Sequence, residues 1–430
     1  MTRIVQSNLD FEREPLRAPF GFKGGFVTEV WNTAVRLDSS DGLSAAGQGV
    51  QGVLWSDPGL FASCSEAAGN ATMLLTTAAG LREAERVDFE SPLDLLDAIL
   101  PDAAARGREI CGRADLRLTF VLNALAALDF AAWRLVARQR GVGFEALIPE
   151  LARPALGHRQ TRIASAPAIG YGMPVADVQT LVADGFFLLK IKIGSDPNRD
   201  GDQDAMLAWD CARMTAIHDA VGGAAPANSP TGRVLYYLDA NGRYDGIERV
   251  MRLLGHLDAI GALDRTILLE EPFPEEVRAE VGDLPVRIVA DESAHTDRDV
   301  VDRIGLGYGA IAIKPVAKTL SMSFRMAQAA HSAGVACFCA DLTATPGLVE
   351  WNKLFVAHLA PLPELGMALL ETNGFQNYRN WDRMQEELAL PHAPWVRPEA
   401  GVFRLSDEFF EKSAAILDPT PVCEGVADRV

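Results

Sequence analysis

The chain of 430 residues lacks several features that would point to other classes of protein. Its six cysteines are scattered, and none stands at metal-ligand spacing. Cys337 and Cys339, two apart in one apolar run, would share a face of a strand as buried free thiols, a usage that fits a reducing cytoplasm. Positive charge is scarce. Forty Lys and Arg against 58 Asp and Glu leave a formal net charge of −18, which argues against nucleic acid and anionic membrane as partners. An anionic substrate is not excluded, because local lysines and a cation set the field in a pocket. Long apolar runs are also missing. The longest, FVLNALAALDFAAWRLVA, is interrupted by Asn123, Asp129 and Arg134, so it reads as a buried helix and not a membrane span. The opening MTRIVQSNLDFEREPLR has no apolar core and carries acids, so no signal peptide is expected.

What is present suits two domains: the length exceeds one compact core, and the balance of 48% hydrophobic and 23% charged residues is ordinary for a globular chain. Residues 1–160 read as mixed α and β. PFGFKGGFVTEVWNTAVRLDSSDG alternates apolar and polar residues and ends in a turn cluster, predicting a hairpin or meander. Helical patterns follow, one starting at Ser91-Pro92 with Asp94 and one closed by Gly141. From residue 161 to 389 strands and helices alternate, with strands predicted at 163–170, 187–193, 235–239, 266–270, 286–291, 310–314, 335–341 and 367–371. Alternation means parallel strands with crossover helices, and eight units favour a closed α/β barrel over the alternative, a doubly wound sheet. VGGAAPANSPTGRV, residues 221–234, reads as an extended surface loop. The tail from 390 contains a short strand, GVFRL, and is expected to return to the first domain.

Five of the strand segments, FFLLKIKIG, LYYLDANG, ILLEEP, IVADES and IAIKP, end in charge: Lys190 and Lys192, Asp239, Glu270, Asp291 and Lys314. In a barrel of this kind the strands' carboxyl ends carry the active site. Lys190 and Lys192 are two apart and share a face. Asp239, Glu270 and Asp291, from three adjacent strands, can converge on one hard cation, and three oxygens with room for water and substrate suit Mg²⁺. Lys314 lies beyond that trio, so its amine would face that of Lys192 across the pocket. Such a site solves a specific problem. Removing the hydrogen next to a carboxylate leaves an enediolate with two negative charges, which a divalent metal stabilises by several kcal/mol. A lysine with a lowered pKa is then a usable base. Glu271 and Glu292 alternate to the other face and read as supporting or helix-facing. His158, His218, His256, His331, His358 and His392 read as structural, whereas His295, after the fifth strand, is within reach of the pocket.

These motifs resemble those of the enolase superfamily, specifically its mandelate racemase and muconate-lactonising branches. LKIKIG is similar to the family's paired-lysine strand, LDANG, LEEP and ADES to its three metal-ligand strands, and IKPVAK to its sixth-strand base motif, with Lys318 beyond the base position. ALAALDFAAWRLVARQRG resembles the helix preceding the barrel. The resemblance implies a (β/α)7β TIM-like barrel under an α+β capping domain made of residues 1–160 and completed by 390–430. It implies Mg²⁺ on Asp239, Glu270 and Asp291, with Lys192 and Lys314 as bases on opposite faces and Lys190 polarising the substrate or tuning Lys192. Glu371, in LLETN, would hydrogen-bond the substrate carboxylate. Asn241 and the cap residues Phe20, Phe22, Lys23 and Trp55 would contact or enclose the substrate. The sequence departs from the family twice. The seventh strand, CFCADLT, has no histidine, which favours the opposed-lysine branch, with Asp341 placed to touch a polar substrate. The eighth reads ETN, not the paired-aspartate motif of dipeptide epimerases. The expected protein is a cytoplasmic, homo-oligomeric, Mg²⁺-dependent isomerase that racemises or epimerises a small carboxylic acid. The alternatives are a lyase such as an acid-sugar dehydratase, a cycloisomerase, and a non-catalytic metal-binding barrel.

Overall fold

The computed structural model describes residues 1–418. Its first part is a meander of β1 (Thr2–Phe22), β2 (Gly25–Ser39) and β3 (Ser44–Val50), with β4 (Asp88–Phe89) added beside β1. The β1–β2 turn is Lys23-Gly24, both at positive φ (50° and 73°), as a tight hairpin between twisted strands requires. Three helices pack on this sheet, Glu66–Ala84, Pro92–Cys111 and Leu118–Arg140. The second begins in a capping box between Ser91 and Asp94 with Pro92 in its first turn, and the third stops at Gly141 in the left-handed conformation. Leu118–Arg140 is long and apolar enough to cross a membrane, but 94% of its apolar window is buried inside the protein. It lies against β3, where a Cβ on Gly47 would come within 2.2 Å of the Ala127 carbonyl.

The barrel strands are β5 (Arg162–Ile169), β6 (Leu188–Lys192), β7 (Leu235–Asp239), β8 (Thr266–Glu270), β9 (Arg287–Ala290), β10 (Ala310–Ile313), β11 (Ala336–Cys339) and β12 (Ala368–Thr372). They are parallel and pair in sequence order, and β12 closes on β5, with Ala368 opposite Ile163. Leu188, Leu235, Leu268, Val289, Ala310, Ala312, Phe338 and Leu369 fill the interior as one apolar cluster. Strand side chains alternate with period two, so the residues two or four further along these strands also face inward. Those residues are Lys190, Lys192, Asp239, Glu270, Asp291, Lys314 and Glu371.

Two features depart from the sequence expectation. The connection from β8 to β9 contains no helix; residues 271–286 are turns and irregular chain, bounded by Pro272, Pro274 and Pro285. The GVFRL strand, β13 (Val402–Arg404), joins the barrel and not the cap sheet, running antiparallel to β5 with Val402 opposite Ala164. Beyond β13 the chain reaches the cap. Phe144 donates its N–H to Ser413 Oγ at 2.9 Å, and Arg134 Nε donates to the Ile416 carbonyl at 2.5 Å. The part of the expected cap segment after residue 418 lies outside the described residues. The loop at 221–234 enters β7 at its amino end, away from the charged strand ends, and Asn228 Nδ2 donates to the Ala400 carbonyl at 3.0 Å.

Candidate active site

The inward charges meet at the carboxyl ends of the strands as one buried ionic network. Lys190 Nζ lies 2.9 Å from Asp239, 3.0 Å from Glu270 and 2.9 Å from Glu371. Lys192 Nζ is 2.5 Å from Asp239 Oδ2. Lys314 Nζ donates to Asp291 Oδ2 at 2.6 Å. β6 and β10 are the second and sixth of eight strands, so Lys192 and Lys314 stand on opposite sides of the barrel mouth.

Burial alone would neutralise these groups, and the pairing resists it. It pushes the Lys190 ammonium down, but Asp239, Glu270 and Glu371 outweigh it and hold the group well above its ordinary value. Lys314 is likewise raised, burial being offset mainly by Asp291. Asp239 falls to about 2, because Lys190 and Lys192 overcome the cost of burial. Asp291 is held low, against burial, by Lys314 and Lys318. Glu270 rises to about 8, driven first by burial with Lys190 opposing.

Among the described residues, the carboxylates whose oxygens lie within 4.8 Å of one another are Glu270, Asp291 and Glu292, not the expected trio with Asp239. Asp239 is drawn toward the two lysines of β6, and its Oδ1 accepts the Asn241 N–H at 3.0 Å. Glu292 was expected on the other face. The chain leaves β9 at Ala290, so strand alternation no longer governs it. Its Oε2 is buried without a hydrogen-bond partner. Five carboxylates, those of Asp239, Glu270, Asp291, Glu292 and Glu371, pair with the five amines of Lys23, Lys190, Lys192, Lys314 and Lys318. An all-oxygen donor set with an orphaned, buried carboxylate oxygen fits a hard divalent cation.

Lys318 was noted in the sequence without a role. It is fully buried, and its Nζ donates to the Asp291 carbonyl at 2.7 Å and to Asp291 Oδ1 at 3.1 Å. Burial lowers its pKa. Its spacing of four from Lys314 across a single helical turn was the available signal. Asp210, which nothing in the sequence singled out, is buried on the helix Gln203–Val221. It accepts the Gly194 N–H at 2.8 Å and the Tyr244 hydroxyl at 2.5 Å, tying the loop after β6 to the loop after β7. Burial pushes its carboxyl up to about 7. Glu271 braces the loop after β9, accepting the Asp291 N–H at 2.8 Å and the Ser293 hydroxyl at 2.5 Å.

The cap residues reach the network. Trp55 Nε1 donates to Asp291 Oδ2 at 2.9 Å, and Lys314 Nζ lies 4.3 Å from its ring centroid. Lys192 Nζ lies 5.4 Å from the Phe22 ring, which Phe20 flanks at 5.4 Å. Lys23 pairs with Glu292 at 3.1 Å. Asn241 bridges Lys192 and Glu292. Two expectations fare differently. Asp341 has both oxygens occupied by the N–H groups of Leu342, Ala344 and Asn373, so it staples loops together and presents no free oxygen to a substrate. His295 is held by Glu275, with Nε2 at 3.1 Å from that carboxylate, rather than by the lysine–acid network.

A capped parallel barrel with lysines and acids gathered at its strand ends defines a class of barrel enzymes. Residues 174–407 match the family described as enolase C-terminal domain-like, and the chain belongs to that family, within the enolase superfamily. Two curated relatives carry the name hydrophobic dipeptide epimerase. That of Citrifermentans bemidjiense is 26% identical over 92% of this chain and 93% of its own length. That of Roseobacter litoralis is 30% identical over 41% of this chain, which spans only 45% of that protein. The fold is also that of a dipeptide epimerase from Enterococcus faecalis, solved with Mg and the dipeptide L-Leu-L-Tyr. The TM-score is 0.62 at 18% identity, covering 94% of this chain and 97% of that one.

Proposed function

We propose that this protein removes and returns the proton on the carbon next to a carboxylate, racemising or epimerising a small carboxylic acid through an enediolate. The observation that carries this reading is the placement of Lys192 and Lys314 on the second and sixth of eight strands, with the acid cluster between them. Each amine addresses one face of a carbon held at the barrel mouth, so one can take a proton and the other deliver one. Asp239, Glu270 and Asp291 are the proposed ligands of Mg²⁺, with Glu292 beside them. Bound Mg²⁺ would neutralise these carboxylates, stabilise charge on the substrate's carboxylate oxygens and withdraw the support that now keeps Lys190 and Lys314 protonated. Lys190, oriented by Glu371 at 2.9 Å, remains to hold the substrate carboxylate.

The substrate is best read as an amino-acid derivative with an apolar substituent. The names of the curated relatives support this, and so do the aromatic rings of Phe20, Phe22 and Trp55 over the site. The reading extends to a cytoplasmic homo-oligomer. The free thiols of Cys64, Cys111, Cys211, Cys337 and Cys339 support the reducing compartment.

The test is α-hydrogen exchange in D₂O with Mg²⁺ across a panel of carboxylic acids and dipeptides. Both stereoisomers of the substrate should exchange, and Lys192→Ala and Lys314→Ala should each abolish exchange of one. Release of a keto acid would assign the protein to the lyases instead. Absence of exchange across the panel, with Mg²⁺ bound, would leave a metal-binding barrel.

A further inference from the structure

The tip of the β1–β2 hairpin reaches a catalytic amine through two intervening side chains. Lys23 sits at the turn, and its Nζ lies 3.1 Å from Glu292 Oε1 and 3.2 Å from the Trp55 carbonyl. The Lys23 and Glu292 side chains are only 8% and 6% exposed, so this is an interior contact and not a surface pair. The same Glu292 oxygen accepts the Asn241 Nδ2–H at 2.9 Å. The other end of that amide, Oδ1, accepts from Lys192 Nζ at 3.3 Å. Asn241 is itself fixed at φ 45°, with its N–H on Asp239 Oδ1. Four side chains therefore run unbroken from the cap to the amine.

The order of donors and acceptors makes this chain directional. A carboxamide has one accepting and one donating end. Because Glu292 Oε1 accepts from Lys23 on one side, Asn241 turns Nδ2 toward it and Oδ1 toward Lys192. Were the amide reversed, an NH₂ group would face an ammonium. Glu292 in turn stands with its oxygens within 4.8 Å of those of Glu270 and Asp291, a like-charge arrangement that pushes it outward. Lys23 is the cation on its outer side. Lys23 meets the Lys314 side only through the main-chain carbonyl of Trp55, whereas Lys314 is held by the Asp291 carboxylate and the Trp55 ring, outside the side-chain sequence Lys23–Glu292–Asn241–Lys192.

We infer that Lys23 is a positioning residue for Lys192. Seating the hairpin tip on Glu292 fixes the Asn241 amide and thereby aims the Lys192 amine, so closure of the cap and readiness of one of the two bases are a single event. The inference rests on the proposed α-proton chemistry. It gives Lys23, expected to touch substrate, a role exerted through other residues.

The experiment compares wild type, Lys23→Met and Lys23→Arg for exchange of each stereoisomer. The Lys192 face is defined as the one whose exchange Lys192→Ala abolishes. In Lys23→Met, exchange on the Lys192 face should fall by about tenfold to a hundredfold while that on the Lys314 face changes by less than about threefold. Lys23→Arg should recover most of the loss. In the metal-free protein, backbone amides of residues 20–26 should exchange with D₂O about fivefold faster in Lys23→Met and in Glu292→Gln. Equal loss on both faces, loss on neither, or an unaltered hairpin overturns the inference. If wild type exchanges no substrate at all, it is the functional reading that fails, and the amide exchange alone then decides whether the clasp exists.

Discussion

Trp55 of the cap donates its indole N–H to Oδ2 of Asp291 in the barrel at 2.9 Å. Asp291 is also a proposed Mg²⁺ ligand, so donor and cation compete for the same carboxylate. Trp55→Phe keeps the ring over Lys314 and deletes only the donor. A hydrogen bond of this kind contributes on the order of 1 kcal/mol, so Mg²⁺ should bind roughly threefold to tenfold more tightly to the variant. Calorimetric titration of the metal-free protein measures this. Weaker binding would mean that the bond persists alongside the cation.

Lys190 contacts three acids at once: Asp239, Glu270 and Glu371. Lys190→Met would leave Glu270 and Glu371 buried without an ionic partner, while Asp239 would keep Lys192. Breaking a buried pair in this way costs about 3–5 kcal/mol, which urea unfolding of the metal-free protein should register. Mg²⁺ should restore part of that loss. Stability unchanged in the absence of metal would contradict the ionic network.

Asp210 predicts a pH dependence. Its carboxyl is raised by burial from the usual 3.8 to about 7, so the folded chain keeps a proton that the unfolded chain has released. The stability this group contributes is complete below pH 4 and is lost as pH rises to about 7. Wild type should therefore lose stability relative to Asp210→Asn by up to about 1.4 kcal/mol per pH unit across that window, with no further divergence above it. Denaturant midpoints at pH 5, 6, 7 and 8 test the sign. Parallel curves for the two proteins would refute it.

The eighth strand predicts a selectivity. Asn373 lies two residues beyond Glu371, with its Nδ2 at 3.4 Å from Glu371 Oε1 and its own Oδ1 buried without a partner. Glu371 is already neutralised by Lys190, so no free acid is present there for a substrate ammonium. Asn373→Asp would supply one. The ratio of kcat/KM for free-amino substrates over their N-acetylated counterparts should rise by about tenfold. An unchanged ratio would show that the substrate's amine lies elsewhere.

The inward orientation of the charged residues was legible in the sequence because it follows from period two alone. Once Leu188, Leu235, Leu268 and Val289 face the core, Lys190, Asp239, Glu270 and Asp291 must do the same. The strand limits followed from the same pattern. That rule weakens once a strand has ended, which is why Glu292, two residues beyond the end of β9, was assigned to the wrong face. Lys318 escaped because its helical turn begins immediately after β10, where the period changes from two to 3.6. The partner of β13 was not legible either: a three-residue strand carries no information about which edge it will join. His295 was placed near the pocket by chain position, but the Glu275 carboxylate that holds it comes from the helix-free β8–β9 connection.

The seam of the barrel has a consequence for how the protein is made. Ile163 of β5 meets Ala368 of β12, a separation of 205 residues, and then meets Phe403 of β13 on its other side. β6 can pair with the carboxyl half of β5 early, at Ala168 and Ile169, but the flank that takes β12 leaves the ribosome long before its partner exists, with unpaired backbone groups along it. Until nearly the whole chain has been translated, the nascent protein cannot finish its own cylinder. Its exposure to misassembly is set by the time needed to synthesise those residues.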